Sequence, residues 1–211
     1  LDEAIDAYNK ALSLNPNYAE VYTNKGIALL EKGMLDQAIE AHKKSIALKP
    51  DFVKAHHNLM FPLLNSGKLK EGLDENEWRW KTDELISSQR YFLQPIWDGK
   101  QSLNGKRILL WSEQGIGDTL NWSSCIPLIT SQAKHCILEC PKKLVALLKR
   151  SFPNVEVKAV NISSDLERDD FDFHLPMGSL YKHFIPEITQ KPKPEAYLVP
   201  DPVRINFWKE R

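Results

Sequence analysis

The feature that most constrains the fold is a period of 34 residues in the first third of the chain. Ala4 recurs as Ala38, Leu14 as Leu48, Pro16 as Pro50, Asn24 as Asn58, Leu29 as Leu63 and Gly33 as Gly67. A fixed period of that length belongs to stacked two-helix units, each too small to bury its own apolar face and each covered by its neighbours. Proline after each second helix stops the hydrogen-bond ladder.

The block AEVYTNKGIALLEKGMLDQAIEAHKKSIALKP, Ala19 to Pro50, resembles one complete tetratricopeptide repeat. Tyr22, Gly26 and Leu29 stand where the first helix of such a repeat packs, and Ala38 and Ser45 where its two helices approach closely. Residues 1–15 read as the second helix of a preceding repeat, so the chain reads as starting inside one. Phe52 to Leu64 repeats the first helix, with Pro62 predicting a kink or an early end. Lys68 to Lys81 reads as a last, capping helix, with Trp78 and Trp80 docking on the next part of the chain. The resemblance implies a concave face that binds a peptide or protein. Asn24 and Asn58 fall on it, each able to donate to and accept from an extended backbone, or else to bond locally within its own helix.

The remainder alternates between strand and helix. RILLW and a helix over Asp118 to Ser131 precede a strand at HCILEC and a helix from Pro141 to Ser151. Further strands are expected at Val155 to Val160 and Phe171 to Pro176, then a short helix toward His183. The near-continuous apolar run of RILLW suits a strand covered on both faces. The rhythm predicts a parallel, doubly wound, Rossmann-like sheet, whose ligands bind beyond the carboxyl ends of the strands. The expected organisation is therefore α/β with an all-α start: repeats over 1–83, a linker over 84–104, the Rossmann-like part over 105–199, and a proline-rich connector leading into 200–211.

Lys and Arg total 28, as do Asp and Glu, so no basic excess argues for nucleic acid. No apolar run approaches the roughly 20 residues that span a bilayer. Three cysteines, Cys125, Cys136 and Cys140, are too few and too odd in number for a disulfide framework. No metal site is expected, and the thiols read as buried in a reducing cytosol.

The stretch WSEQGIGDTLNW, Trp111 to Trp122, puts two glycines and an acid between strand and helix. Three readings stay open. Gly115 and Gly117 with Glu139 suggest a dinucleotide loop, but Leu120 replaces its third glycine and Asp118 occupies the phosphate seat. Asp118 can instead be a helix cap. Or it can be a general base that takes a proton from an attacking sugar hydroxyl. His174 at a strand end and Ser112, Glu113 and Gln114 in the loop could bond sugar hydroxyls, although a histidine in a short strand is commonly structural.

WDGKQSLNGKRILLWSEQGIGDTLNWSSCIPLI, with EWRWK, ILECPKKL, FDFHLPMGSL and YLVPDP, resembles the acceptor-side domain of heptosyltransferase-like glycosyltransferases (family 9), in particular bacterial ones preceded by tetratricopeptide repeats. That resemblance implies the N-terminal half of a GT-B fold, Asp118 as general base, and Gly115 and Gly117 as the loop that admits the acceptor. It implies a nucleotide-sugar donor as substrate, no cofactor, a sugar-bearing acceptor and a bacterial cytoplasmic setting. The donor-side half is expected beyond Arg211, leaving this stretch alone without turnover. Three positions depart from the family pattern: Ser124 and Cys125 stand where Arg and Tyr are usual, and Tyr181 where Pro is usual. The alternative is an interaction scaffold with a degenerate transferase domain.

Overall fold

The computed structural model describes residues 1–161, 165–185, 189 and 196–211. These fall into two compact units, Leu1–Ser88 and Gln89–Arg211.

The first unit is a run of antiparallel helices: α1 (Asp2–Leu14), α2 (Ala19–Glu31), α3 (Leu35–Leu48), α4 (Val53–Asn65), α5 (Leu69–Asn76) and α6 (Asp83–Ile86). Each hairpin closes the same way. Gly33 and Gly67 take φ values of 76° and 78°, left-handed conformations that glycine adopts without penalty. Met34 N then donates to Leu29 O and Gly33 N to Leu30 O. Lys68 N and Gly67 N repeat this on Leu63 O and Leu64 O. This is the Schellman stop, which satisfies the last carbonyls of a helix, written twice at the period of the sequence.

Between α2 and α3 the small residues allow close approach. Ala38 and Ser45 are fully buried. Ser45 Oγ donates to Ala19 O at 2.7 Å, leaving its lone pairs for the Thr23 hydroxyl 2.8 Å away. Leu29, Ala38 and Ala41 form one apolar cluster and Ile39, Leu59 and Leu63 the next, so the core is a series of steps.

The early end weighed for Pro62 and the unbroken capping helix are not what forms. Despite Pro62, α4 continues to Asn65, because Leu59 and Leu63 on either side of the proline are held in the core. The capping segment is broken: α5 stops at Asn76 and a 3-10 turn runs over Glu77–Lys81. Trp78 turns back onto its own unit, stacked on the His56 ring at 3.7 Å and 5°, with Lys81 Nζ 3.7 Å from its ring centre.

The second unit holds a sheet of four parallel strands in the order β3-β2-β1-β4. Its strands are β1 (Arg107–Trp111), β2 (His135–Cys140), β3 (Glu156–Ala159) and β4 (Phe173–Pro176). In β1 and β2 every residue after the first is buried. Alternation divides them between the faces. Ile108, Leu110, Cys136, Leu138 and Leu175 join Trp122, Ile126, Ile129 and Leu148 in the main core, under α7 (Ile116–Trp122), α8 (Ile126–Thr130) and α9 (Val145–Ser151). The opposite face carries Trp111 and His174, with Phe92 and Phe171 packed against the His174 ring.

The stretch 84–104, read as a linker, is part of this unit from Gln89 onward. Trp97 N donates to His174 O at 2.9 Å and His174 N to Pro95 O at 3.2 Å, which adds a one-bridge strand beside β4. Trp97 and Leu103 are buried in the main core. A proline and several polar residues hide that role in the sequence. The helix expected over Asp118 to Ser131 is also interrupted, by a 3-10 turn at Ser123–Cys125, where Pro127 cannot supply its N–H to the turn before it. Of the proline-rich tail, 191–195 lie outside the described residues. After α10 (Leu180–His183) the last described element is α11 (Pro202–Lys209), capped by Asp201 Oδ1, which accepts from Val203 N and Arg204 N.

Candidate functional site

The chain lays down β1, β2 and β3 in one direction and returns to the other side of β1 as β4. The strand order therefore reverses between β1 and β4, where crevices of open α/β sheets form at the carboxyl ends. The loops at that place are Ser112–Gly115 after β1 and the 3-10 turn Met177–Ser179 after β4.

Asp118 sits three residues past the helix N-cap, which is Gly115. Its Oδ2 accepts from Gly115 N at 3.2 Å. Glycine has no side chain to reciprocate, so this is half of a capping box, not the N-cap expected from the sequence. The carboxylate stays exposed, as do Gly115 and Gly117. Gln114 is half-buried beside them.

Glu113 turns the other way. It is 9% exposed, and its Oε1 accepts from Gly178 N at 2.9 Å, tying the β1 loop to the β4 loop. A Cβ on residue 178 would lie 2.4 Å from that oxygen and 3.0 Å from the Trp122 ring, so only glycine fits. A carboxylate so placed staples the loops together and does not face a sugar.

His174 is 4% exposed. Trp111 Nε1 donates to its Nδ1 at 3.3 Å, and the Phe92 ring lies 4.6 Å away. Burial, helped by the Arg90 guanidinium, pulls its pKa down to about 4. It is a neutral ring inside the sheet face, away from the rim where a sugar hydroxyl would approach.

Glu139, the acid weighed for a ribose, is buried at the end of β2 between two arginines. Arg90 Nη1 reaches its Oε2 at 2.6 Å and Arg168 Nη1 its Oε1 at 2.5 Å. Arg90 also grips Asp165 through Nε and Nη2, at 2.8 and 2.5 Å, and Arg168 grips Asp170 at 2.9 and 3.0 Å. Both oxygens are thus used, and no ribose could reach them. Arg90 and Arg168 escaped sequence reading because nothing in their neighbourhoods marks them; only the fold brings Arg90, from ahead of β1, and Arg168, from ahead of β4, to the end of β2.

Tyr181 and Ser124 meet in space. Tyr181 OH donates to Asn121 O at 2.8 Å and lies 3.2 Å from Ser124 Oγ. Burial raises its pKa.

In the repeat unit, Asn24 Oδ1 accepts from Lys54 Nζ at 3.3 Å, and Asn58 Nδ2 donates to Lys54 O at 2.7 Å. Both amides are half-buried, and Lys54 links them. A separate cavity of about 430 Å³ opens between Tyr22, Lys25 and Leu29 of α2 and Asp36, Glu40 and Lys44 of α3. The three cysteines are buried; burial pushes Cys136 up to about 12 and Cys140 to about 11, where neither is a ready nucleophile. Among the described residues no group of three or more His, Cys, Asp or Glu could hold a metal ion, and no helix is long and apolar enough to cross a membrane.

Comparison with known proteins places the first unit in a class. Residues 1–33 match a family described as TPR repeat, and residues 19–52 one described as tetratricopeptide repeat. The N-terminal part of the chain therefore consists of tetratricopeptide repeats, a scaffold for protein–protein interaction. Protein FlbA of Caulobacter vibrioides is 32% identical over 127 residues, a match covering 54% of this chain and 21% of FlbA. This chain thus spans about a fifth of that relative's length. The match is longer than the unit Leu1–Ser88 and so extends beyond the repeats. Among solved structures, two of MamA are 29% identical: one covers 40% of this chain and 50% of MamA at a TM-score of 0.35, the other 39% and 45% at 0.37.

Proposed function

We propose that this chain joins a protein-recruiting repeat array to the acceptor-side half of a sugar transferase, with Asp118 as general base. The observation that supports the assignment is a contrast among acids. At the strand ends Glu113 and Glu139 are buried in internal bonds, whereas Asp118 is exposed beside the point where strand order reverses. In the reaction, the acceptor hydroxyl loses its proton to Asp118 as its oxygen bonds the anomeric carbon, and the nucleoside diphosphate departs with the electron pair of the broken bond. The donor half, the nucleotide sugar and the sugar-bearing acceptor belong to this proposal, as does a cytoplasmic setting; no cofactor enters it. The face of Asn24, Lys54 and Asn58 recruits the protein partner.

Asp118→Asn in the full reading frame tests the assignment, since amide and carboxylate both accept from Gly115 N. Sugar transfer is expected to fall by roughly 100-fold or more, the usual worth of a general base, with little change in melting temperature. Unchanged transfer would remove Asp118 from the chemistry. The second reading, an interaction scaffold with a degenerate transferase domain, is favoured by the Ser124–Tyr181 pair, and absence of any transfer by the parent enzyme would select it.

A further inference from the structure

We infer that the groove between α9 and α11 docks an acidic, amphipathic segment of a partner protein. The groove encloses about 760 Å³, within the range of pockets that bury several side chains. Leu147 of α9 and Ile205 and Trp208 of α11 provide apolar lining. Around them stand four cations and a single acid, Asp201, in a chain whose formal net charge is zero. Arg150 lies 3.9 Å from Asp201; among the described residues no acid pairs with Lys143, Arg204 or Lys209. Among the described residues, the positive charge at this groove is therefore local and only partly offset.

α11 itself buries no residue, although it carries Val203, Ile205, Phe207 and Trp208. Trp208 is 68% exposed, and aromatic residues with arginine dominate the centres of protein interfaces. Helical spacing sends Ile205 and Trp208 toward the groove and Val203 and Phe207 to the opposite side. A bilayer could immerse only one of those sides, whereas an amphipathic segment lies in a groove with its apolar stripe down and its acids against the flanking cations. The geometry thus favours an acidic helix over an anionic lipid surface. This surface lies on elements distinct from the proposed Asp118 site.

The test uses a fluorescein-labelled synthetic helix with leucines at i, i+3, i+4 and i+7 and glutamates elsewhere, a scrambled peptide of the same composition, and vesicles of phosphatidylcholine and phosphatidylglycerol. Binding is measured by fluorescence anisotropy and by co-sedimentation. The patterned peptide should bind and the scrambled one bind more weakly. Trp208→Ala should weaken binding by roughly tenfold or more. Arg204→Glu with Lys209→Glu should weaken it further and flatten its salt dependence. All three side chains are exposed, and circular dichroism checks that the variants stay folded. No binding of the patterned peptide, equal binding by wild type and variants, or Trp208-dependent sedimentation with vesicles alone would each overturn the inference.

Discussion

The two units differ in how far along the chain the partners of their buried polar groups lie. In the repeats the partners are close in sequence: Ser45 bonds Ala19 across 26 residues, His42 presses on Gly26, and the buried Arg79 meets Glu77 two residues away. In the α/β unit, full charges are buried by distant segments: Arg90 meets Glu139 across 49 residues and Asp165 across 75. The difference is between interactions made by neighbouring helices and interactions that exist only once the sheet has closed. A solenoid distributes stability step by step, whereas the α/β unit closes one apolar core and one ion cluster from distant segments.

The sharpest way to break the comparison is Arg90→Ala. Removing one partner leaves Glu139 buried with half its compensation, a loss of about 3–5 kcal/mol when a buried pair is broken. The burial of Arg90 opposes its charge, but its bonds to Asp165 and Glu139 outweigh that and raise its pKa. Urea unfolding should show the α/β unit losing cooperativity while hydrogen exchange in α1–α4 is unchanged. Equal loss in both units would mean the cluster does not belong to one of them.

Acid should weaken both units, through a histidine in each. His42 and His174 are both held near 4 by burial, against 6.5 when free. The unfolded chain then takes up protons before the folded one. The stability contributed by each neutral ring is whole above pH 6.5 and drains as pH falls toward 4, by up to about 1.4 kcal/mol per pH unit and histidine. The two rings differ in what holds them. His174 accepts from Trp111, whereas neither nitrogen of His42 has a hydrogen-bond partner among the described residues. His42→Leu should therefore flatten the pH dependence of hydrogen exchange in α2 and α3 and leave that of the sheet intact. Retained acid sensitivity in those helices would assign it to other groups.

The smallest effect tests the repetition itself. Gly33→Ala and Gly67→Ala each force a side chain into the left-handed region, at about 1 kcal/mol apiece. Open space surrounds both positions, so strain alone is measured. Melting temperatures should fall by similar amounts for the two variants and by their sum for the double. A large inequality would show that the two turns are equivalent in sequence and unequal in energy.

Much of the repeat unit was legible because its signals are local. Gly33, Pro50, Ala38 and Ser45 announce turn, stop and close contact within one period. Pro62 misled because a proline's cost is local, while the Leu59 and Leu63 contacts that outweigh it are tertiary. In the second unit the continuous apolar runs of β1 and β2 were equally plain. The contribution of Pro95–Trp97 to the sheet was not, since one bridge leaves no periodicity to read. At the candidate site the residues of the Asp118 loop stood out as a group, but nothing in the spelling SEQGIGD told that Glu113 faces inward and Asp118 outward.

By itself the sequence determined the repeating helices, their proline stops and the strand–helix alternation, because periodicity, turn chemistry and apolar runs act over a few residues. Only the tertiary structure decided which acids are available. A carboxylate becomes a staple, an ion-pair partner or an exposed base according to what the rest of the chain brings within hydrogen-bonding reach of it. For Glu113 that was Gly178, and for Glu139 it was Arg90 and Arg168.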